Sequence, residues 1–444
     1  MEHRYKYIAF VGCYTKEGQA DPFEASHGGV LHDRSKIGKG VLAIGVDLSG
    51  KLSFLNDGEP IIKADAFPNP SYLCILERSE SSSRPAALRE GGLCIVSETE
   101  KGTFQSFAVS REQTKDGMRI RAKAAGDPLD TGGSYPCHII SSEVGSDIES
   151  VIICNYGEEE GVLSIFGFGE GAKDSDVYSR QACVKFGAGS NADPDRQQAS
   201  HAHSTSTLTP LSPDSLVDLC CADLGSDAIV QFSLTTKMSS IDGMVSLQCV
   251  EKERLAAPPG SGPRSLMFNP IFSNVAIVSL EMTAQIWLIR RKIEDGSFEG
   301  IGDPVSLLPE NWPVESAKET TFNHGRWASD AVWSPDGIFV YAAARLHNSI
   351  SVYALQVQTA VEDAPQVPLK VEGLHLVQRI FTNGLTPRCL TISECGKFIL
   401  VAHQHSHDIS SYQRNESDGT ITCIDALEVP NAACLKLIRP DRIG

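Results

Sequence analysis

Ser334-Pro335-Asp336-Gly337-Ile338-Phe339-Val340-Tyr341-Ala342-Ala343-Ala344-Arg345-Leu346-His347-Asn348-Ser349-Ile350-Ser351-Val352-Tyr353 reads as a tight turn, an apolar strand, a polar turn and a second strand. Pro and Gly punctuate the first turn. Residues 339–344 are a continuous apolar run. Residues 349–353 alternate polar and apolar side chains, the period of two that marks a strand. The pattern repeats at 93–107, 151–166, 217–232, 275–288 and 398–412. A short lead-in precedes each hairpin: Asn69-Pro70-Ser71-Tyr72-Leu73, Tyr135-Pro136-Cys137-His138-Ile139, His201-Ala202-His203-Ser204, Gly262-Pro263-Arg264-Ser265-Leu266, Ala328-Ser329-Asp330-Ala331-Val332 and Thr386-Pro387-Arg388-Cys389-Leu390.

Residues 7–14 with 40–46 supply a seventh hairpin. The steps average about 60 residues, at or just above the spacing of four-stranded blade repeats. No long stretch has a helical period. The sequence therefore predicts an all-β chain. It forms one seven-bladed β-propeller of four-stranded antiparallel blades over residues 1–444, closed by a blade that the N- and C-terminal segments share. Polar or Gly/Ser/Pro-rich stretches near 16–39, 78–91, 111–133 and 356–378 are expected to be surface-loop insertions. Arg84, in the second of them, is expected to matter little to activity.

Composition narrows the function. The formal net charge is −17, from 39 basic and 56 acidic residues. Nucleic acid is not an expected partner, because phosphate-backbone binding needs a basic surface. Anionic membranes are disfavoured for the same reason, and no apolar run approaches the length of a membrane helix. The 13 cysteines are scattered, with no C-x-x-C pair, which predicts reduced and mostly buried thiols. With no apolar leader in the first residues, a cytoplasmic location is expected. Nothing in the sequence fixes an oligomeric state.

Aligning the hairpins places Glu98, Asn155, Asp223, Glu281, Arg345 and Gln404 at one position, every member polar or charged. Equivalent positions in a ring of blades converge on its central channel. The lead-in residues His138, His203, Arg264 and Arg388 should face the same mouth. Such a pocket offers guanidinium forks for an anion and imidazole or carboxylate for proton transfer. Each residue taken singly also fits a plain role, satisfying backbone groups at a blade turn. His201-x-His203 and His403-x-His405-x-His407 invite a metal reading, but neither shows a convincing set of supporting ligands. No phosphate-binding loop or dinucleotide fingerprint is present. No metal and no cofactor are expected.

In these features the chain resembles the seven-bladed propeller lactonase family, which groups 6-phosphogluconolactonase-type hydrolases with carboxymuconate lactonizing enzymes. The resemblance runs from Val11-Gly12-Cys13-Tyr14-Thr15 to the last blade. It rests on Asp195-Arg196-Gln197 followed by His201-Ala202-His203-Ser204, on Pro258-Pro259-Gly260-Ser261-Gly262-Pro263-Arg264, and on Ser334-Pro335-Asp336-Gly337. Asn69-Pro70-Ser71 and Pro136-Cys137-His138 also fit. The resemblance implies a catalytic group of His203, Arg264, Glu281 and Arg345. His138, Asn155, His201 and Arg388 are the expected substrate-binding residues. The hydrolase branch has Pro where this chain has Ser200, and Phe322-Asn323-His324-Gly325-Arg326 departs from the family's Glu-Asn-rich loop.

Three functions are compatible with this pattern. The first is hydrolysis of a small anionic sugar lactone, with 6-phosphogluconolactone foremost and water activated by Glu281 or His203. The second is lactonization of a carboxymuconate by the same four groups. The third is a non-catalytic interaction scaffold.

Overall fold

The computed structural model describes residues 4–15, 36–79, 84–114, 117–144, 148–167, 178–212, 214–238, 245–312, 327–358 and 370–444. Their strands form seven antiparallel sheets arranged as blades. Blade 1 is assembled from both chain regions. Ala432–Ile438 is its innermost strand, followed outward by Tyr5–Cys13, Gly40–Asp47 and Leu52–Phe54. Each later blade is continuous in sequence and runs from the inside out. Blade 2 is Pro70–Leu76, Gly92–Ser97, Thr103–Thr114 and Gly117–Ala124. Blade 3 is Pro136–Val144, Ile148–Asn155, Val162–Gly167 and Ser179–Lys185. Blades 4 to 7 begin at Ala202–Leu208, Pro263–Phe268, Ala328–Trp333 and Pro387–Ile392. Among the described residues the only helical elements are 3-10 turns of three residues.

The central residues of each second strand are mostly apolar on both faces because each face packs on a neighbouring blade. Val275–Leu280 and Phe339–Ala344 are buried along their whole lengths. Ile277, Ala284, Ile286 and Leu288 of blade 5 form one core with Ala331, Trp333, Val340 and Ala342 of blade 6. The turns that punctuated the sequence have a common chemistry. Ser334 accepts the Phe339 N–H at 2.9 Å and Ser393 accepts the Phe398 N–H at 3.0 Å. Polar latches tie neighbouring blades together: the Trp333 indole donates to the Met267 carbonyl at 3.0 Å, and Arg414 donates to the Tyr341 hydroxyl at 2.8 Å.

Two of the expected surface insertions are corrected, and in a third Arg84 is buried rather than exposed. Much of 111–133 is the outer edge of blade 2, since Arg111 pairs with Ile120 and Phe104 with Leu129. Residues 356–358 and 370–378 belong to the outer strands of blade 6, Ser349–Gln358 and Lys370–Phe381, while 359–369 lie outside the described residues. These strands face solvent on their edge, so their sequences are polar and read as loops. In 78–91, Leu88 is fully buried in a 3-10 turn and Arg84 is buried. The Arg84 guanidinium donates to Glu149 of blade 3 at 2.6 Å. Most of 16–39 lies outside the described residues. Arg84→Ala is thus expected to destabilise the fold by about 2 kcal/mol, because it leaves a buried carboxylate without its charged donor. A denaturant midpoint indistinguishable from wild type would contradict this role.

Candidate active site

The lead-ins and hairpin turns meet at one end of the ring. There a backbone hydrogen bond recurs in every blade. The residue after the second strand donates its N–H to the residue that opens the lead-in. The seven pairs are Tyr14 to Asn431, Glu98 to Asn69, Tyr156 to Tyr135, Leu224 to His201, Glu281 to Gly262, Arg345 to Trp327 and Gln404 to Thr386, at 2.7–3.1 Å. The opening residue often takes left-handed φ. Gly262 does so without strain at +62°. Tyr135 at +52° and Thr386 at +60° hold a conformation that side chains disfavour.

These pairs correct the sequence alignment by one residue at two places. Tyr156 and Leu224 occupy the ring position, not Asn155 and Asp223. Asn155 is the last residue of its strand, fully buried, and donates to the Val162 carbonyl at 3.1 Å and the Ser164 hydroxyl at 3.2 Å. It does not line the mouth. Asp223 accepts from the His201 N–H at 2.7 Å and the Ser226 hydroxyl at 2.5 Å, which fixes its own turn. A β-bulge at each lead-in has a similar effect. It aims His203, Arg264 and Arg388 at the mouth, whereas His138 lies one residue further along its strand and lines the channel below.

The mouth is a cavity of about 590 Å³ that holds His203, Arg264, Glu281, Arg345, His201 and Arg388 together. Glu281 is its electrostatic centre. One carboxylate oxygen lies 2.8 Å from Arg196; the other lies 2.8 Å from Arg264 and 2.5 Å from Arg345. Burial alone would raise the carboxyl pKa, but the three guanidinium groups prevail and hold it far below the usual carboxylate range. Trp327 supports the cluster from beneath, with the Arg196 and Arg345 guanidinium carbons 4.8 and 4.7 Å from its ring centre.

His203 lines the same mouth. Burial, then Arg264 and Arg388, hold it well below its ordinary value, against the opposing pull of Glu281. Tyr156 lies between the two imidazoles of the His-x-His pair. It stacks on His201 at 4.1 Å and meets His203 edge-on at 6.0 Å. The second histidine set is dispersed: His403 bonds Asp408, His405 bonds Thr386, and His407 accepts from the Asn431 N–H. On the opposite wall Arg388 donates to the Tyr14 hydroxyl at 2.5 Å, and Tyr14 donates to Glu98 at 2.9 Å.

Sequence reasoning missed Arg196, Tyr156 and Trp327. The signal for Arg196 was present in Asp195-Arg196-Gln197. Asp193 accepts the N–H groups of Asp195 and Arg196, and Gln197 is tied to Leu224 and Asp227. The loop so pinned delivers Arg196 to Glu281. The departing segment Phe322-Asn323-His324-Gly325-Arg326 lies outside the described residues.

The signature of the family described as "Lactonase, 7-bladed beta-propeller" matches residues 59–437. The chain belongs to this family. Membership in the lactonase family makes an enzyme, rather than a scaffold, the class to which this site is assigned. A 6-phosphogluconolactonase of Bacillus subtilis is 24% identical over 308 residues, covering 69% of this chain and 74% of that protein. A 6-phosphogluconolactonase of Klebsiella pneumoniae is 26% identical over 212 residues, covering 48% of this chain and about half, 54%, of that protein. The fold is shared with a periplasmic gluconolactonase of Pseudomonas aeruginosa, at a TM-score of 0.68 and 21% identity over 97% of this lactonase-family chain and 99% of that one.

Proposed function

We propose that the chain hydrolyses a sugar lactone, with 6-phosphogluconolactone as its substrate, and uses protein groups alone. The observation that carries this reading is an imidazole, His203, in one mouth with a carboxylate that gathers three guanidinium groups. The names of the relatives support the substrate class. The lactone carbonyl oxygen is received by Arg264 and Arg345, whose charge stabilises the oxyanion of the tetrahedral intermediate. His203 takes a proton from water as the oxygen attacks the carbonyl carbon. The ring C–O bond then breaks, and the imidazolium returns the proton to the departing ring oxygen. Glu281 is the weaker candidate for base, because both its oxygens are already engaged by Arg196, Arg264 and Arg345. Its part is to hold the arginines in place. His201 and Arg388 contact the bound lactone; Asn155 has no part at the mouth. The thirteen free thiols fit a reducing, cytosolic setting.

The test is acid release on lactone opening, corrected for spontaneous hydrolysis, with glucono-1,5-lactone, 6-phosphogluconolactone and a carboxymuconate compared. Turnover of the muconate, with no lactone opening above background, would replace the hydrolase by the lactonizing reaction. A pH prediction follows from His203. Its depressed pKa keeps it in the basic form below pH 6.5, so kcat/KM for glucono-1,5-lactone, which carries no titrating phosphate, should stay level as the pH falls from 7 to 6. An acid limb centred at or above 6.5 would show that another group is the base.

A further inference from the structure

Below the mouth the central channel continues as a second cavity of about 270 Å³. At about 30 Å³ per water it has room for roughly nine waters. Glu98, Cys137, His203, Arg264 and Arg388 line both cavities and form a collar between them. None of the steps above uses the lower space.

We propose that this lower cavity is a phosphate-class oxyanion site, built on Lys436 with Ser71 and Ser204, which takes the phosphorylated end of the lactone while the ring sits at the mouth. The proposal rests on the lactonase reading of the mouth. Lys436 comes from the innermost strand of blade 1, so its ammonium stands in the channel wall. It donates to the Tyr72 hydroxyl at 3.1 Å and lies 4.6 Å from the centre of the same ring. Among the described residues no carboxylate forms an ion pair with it. Asp330, in the same wall, accepts from the N–H groups of Ala331 at 3.1 Å and Leu390 at 3.2 Å. Burial works against the charge of Lys436, so an anion beside it would stabilise the ammonium form.

Two further observations point to a missing ligand. Ser71 and Ser204 line this cavity, and their hydroxyls, which lack a hydrogen-bond partner, are buried away from it and reach an occupant only by turning about χ1. Buried donors are rarely left unmet in native proteins, and an oxyanion in the cavity would meet both after that turn. The charge balance also favours an anion. Lys436, Arg264 and Arg388 outnumber Glu98 and Asp330 along this wall, inside a chain of net charge −17. His138 adds no compensating proton, since burial, Lys436 and Arg264 hold it down to about 3.

The experiment compares wild type, Lys436→Met, Ser204→Ala and Arg345→Ala. Titration calorimetry with inorganic phosphate should show affinity lowered at least about tenfold by Lys436→Met and severalfold by Ser204→Ala. Affinity lost with Arg345→Ala and kept with Lys436→Met would put the anion at the mouth and overturn the proposal. In kinetics, Lys436→Met should lower kcat/KM for 6-phosphogluconolactone at least about tenfold, and for glucono-1,5-lactone less than about twofold. An equal fall on both lactones overturns it as well. If Lys436→Met does not fold, Ser204→Ala decides, and unchanged phosphate affinity there counts against the site. If wild type opens neither lactone, the hydrolase reading fails while the phosphate titration still decides the lower cavity.

Discussion

Arg345→Ala and Arg264→Ala are each expected to lower kcat/KM for the lactone by roughly 10²–10³, the usual cost of losing one charged donor from an oxyanion site. Both side chains are buried at the mouth and share one oxygen of Glu281. Arg264 also donates to the Ser329 carbonyl at 2.8 Å, and Arg345 to the Ala328 carbonyl at 3.2 Å. Each guanidinium is thus held in place before substrate arrives, so little reorganisation accompanies charge development. The effect should fall mainly on kcat if the contact strengthens in the transition state. Arg121 is the control. It is 69% exposed and pairs with the exposed Glu112, so Arg121→Ala should change kcat/KM by less than about twofold. Loss of activity in all three variants would show that general instability, not oxyanion binding, is being measured.

Glu281→Gln is expected to destabilise the folded protein by about 3–5 kcal/mol, the range for removing one partner from a buried ion cluster. The amide keeps the shape and loses the charge. Three guanidinium groups then share a buried space with no carboxylate between them. The melting temperature should drop, and sulfate should recover part of the loss in the variant more than in wild type. The sign with pH is set by the depressed carboxyl. Its stabilising contribution is complete above the ordinary value of 4.5 and fades as the pH falls toward the folded value. The gap between variant and wild type should therefore narrow in strong acid. A melting temperature equal to wild type at neutral pH would mean that the arginines relax away from one another without cost.

The blade repeat was legible in sequence because the central residues of each second strand are buried on both faces and mostly apolar, as in Val275–Leu280. The outer strands were not. Residues of Gly117–Ala124 alternate between buried Met118 and Ile120 and exposed Arg119 and Arg121, too short and too polar a signal to separate from a loop. Glu281 and Arg345 were found because a hairpin turn directly follows their strands. Asn155 was misplaced because its polar side chain sat one residue from the true ring position, held by Tyr156. Strand periodicity gives no count of a bulge, and the bulge between Pro136 and His138 also displaced His138. Arg196 stands on a loop, outside any repeat. Its role depends on the hydrogen bonds of Asp193 and Gln197, which bring together segments that are distant in sequence.

The blade that closes the ring sets an order in time. Among the described strands of the ring, Tyr5–Cys13 is made before the others and its inner partner Ala432–Ile438 after them. At about 5–20 residues per second, the wait between them on the ribosome is on the order of 20–90 s. Through that interval the nascent chain carries an open strand edge of the kind that recruits other chains. The late strand also brings Lys436, so the lower cavity gains its ammonium in the same event that seals the ring. A chaperone that covers the Tyr5–Cys13 edge during synthesis would raise the yield of native protein without altering the finished molecule.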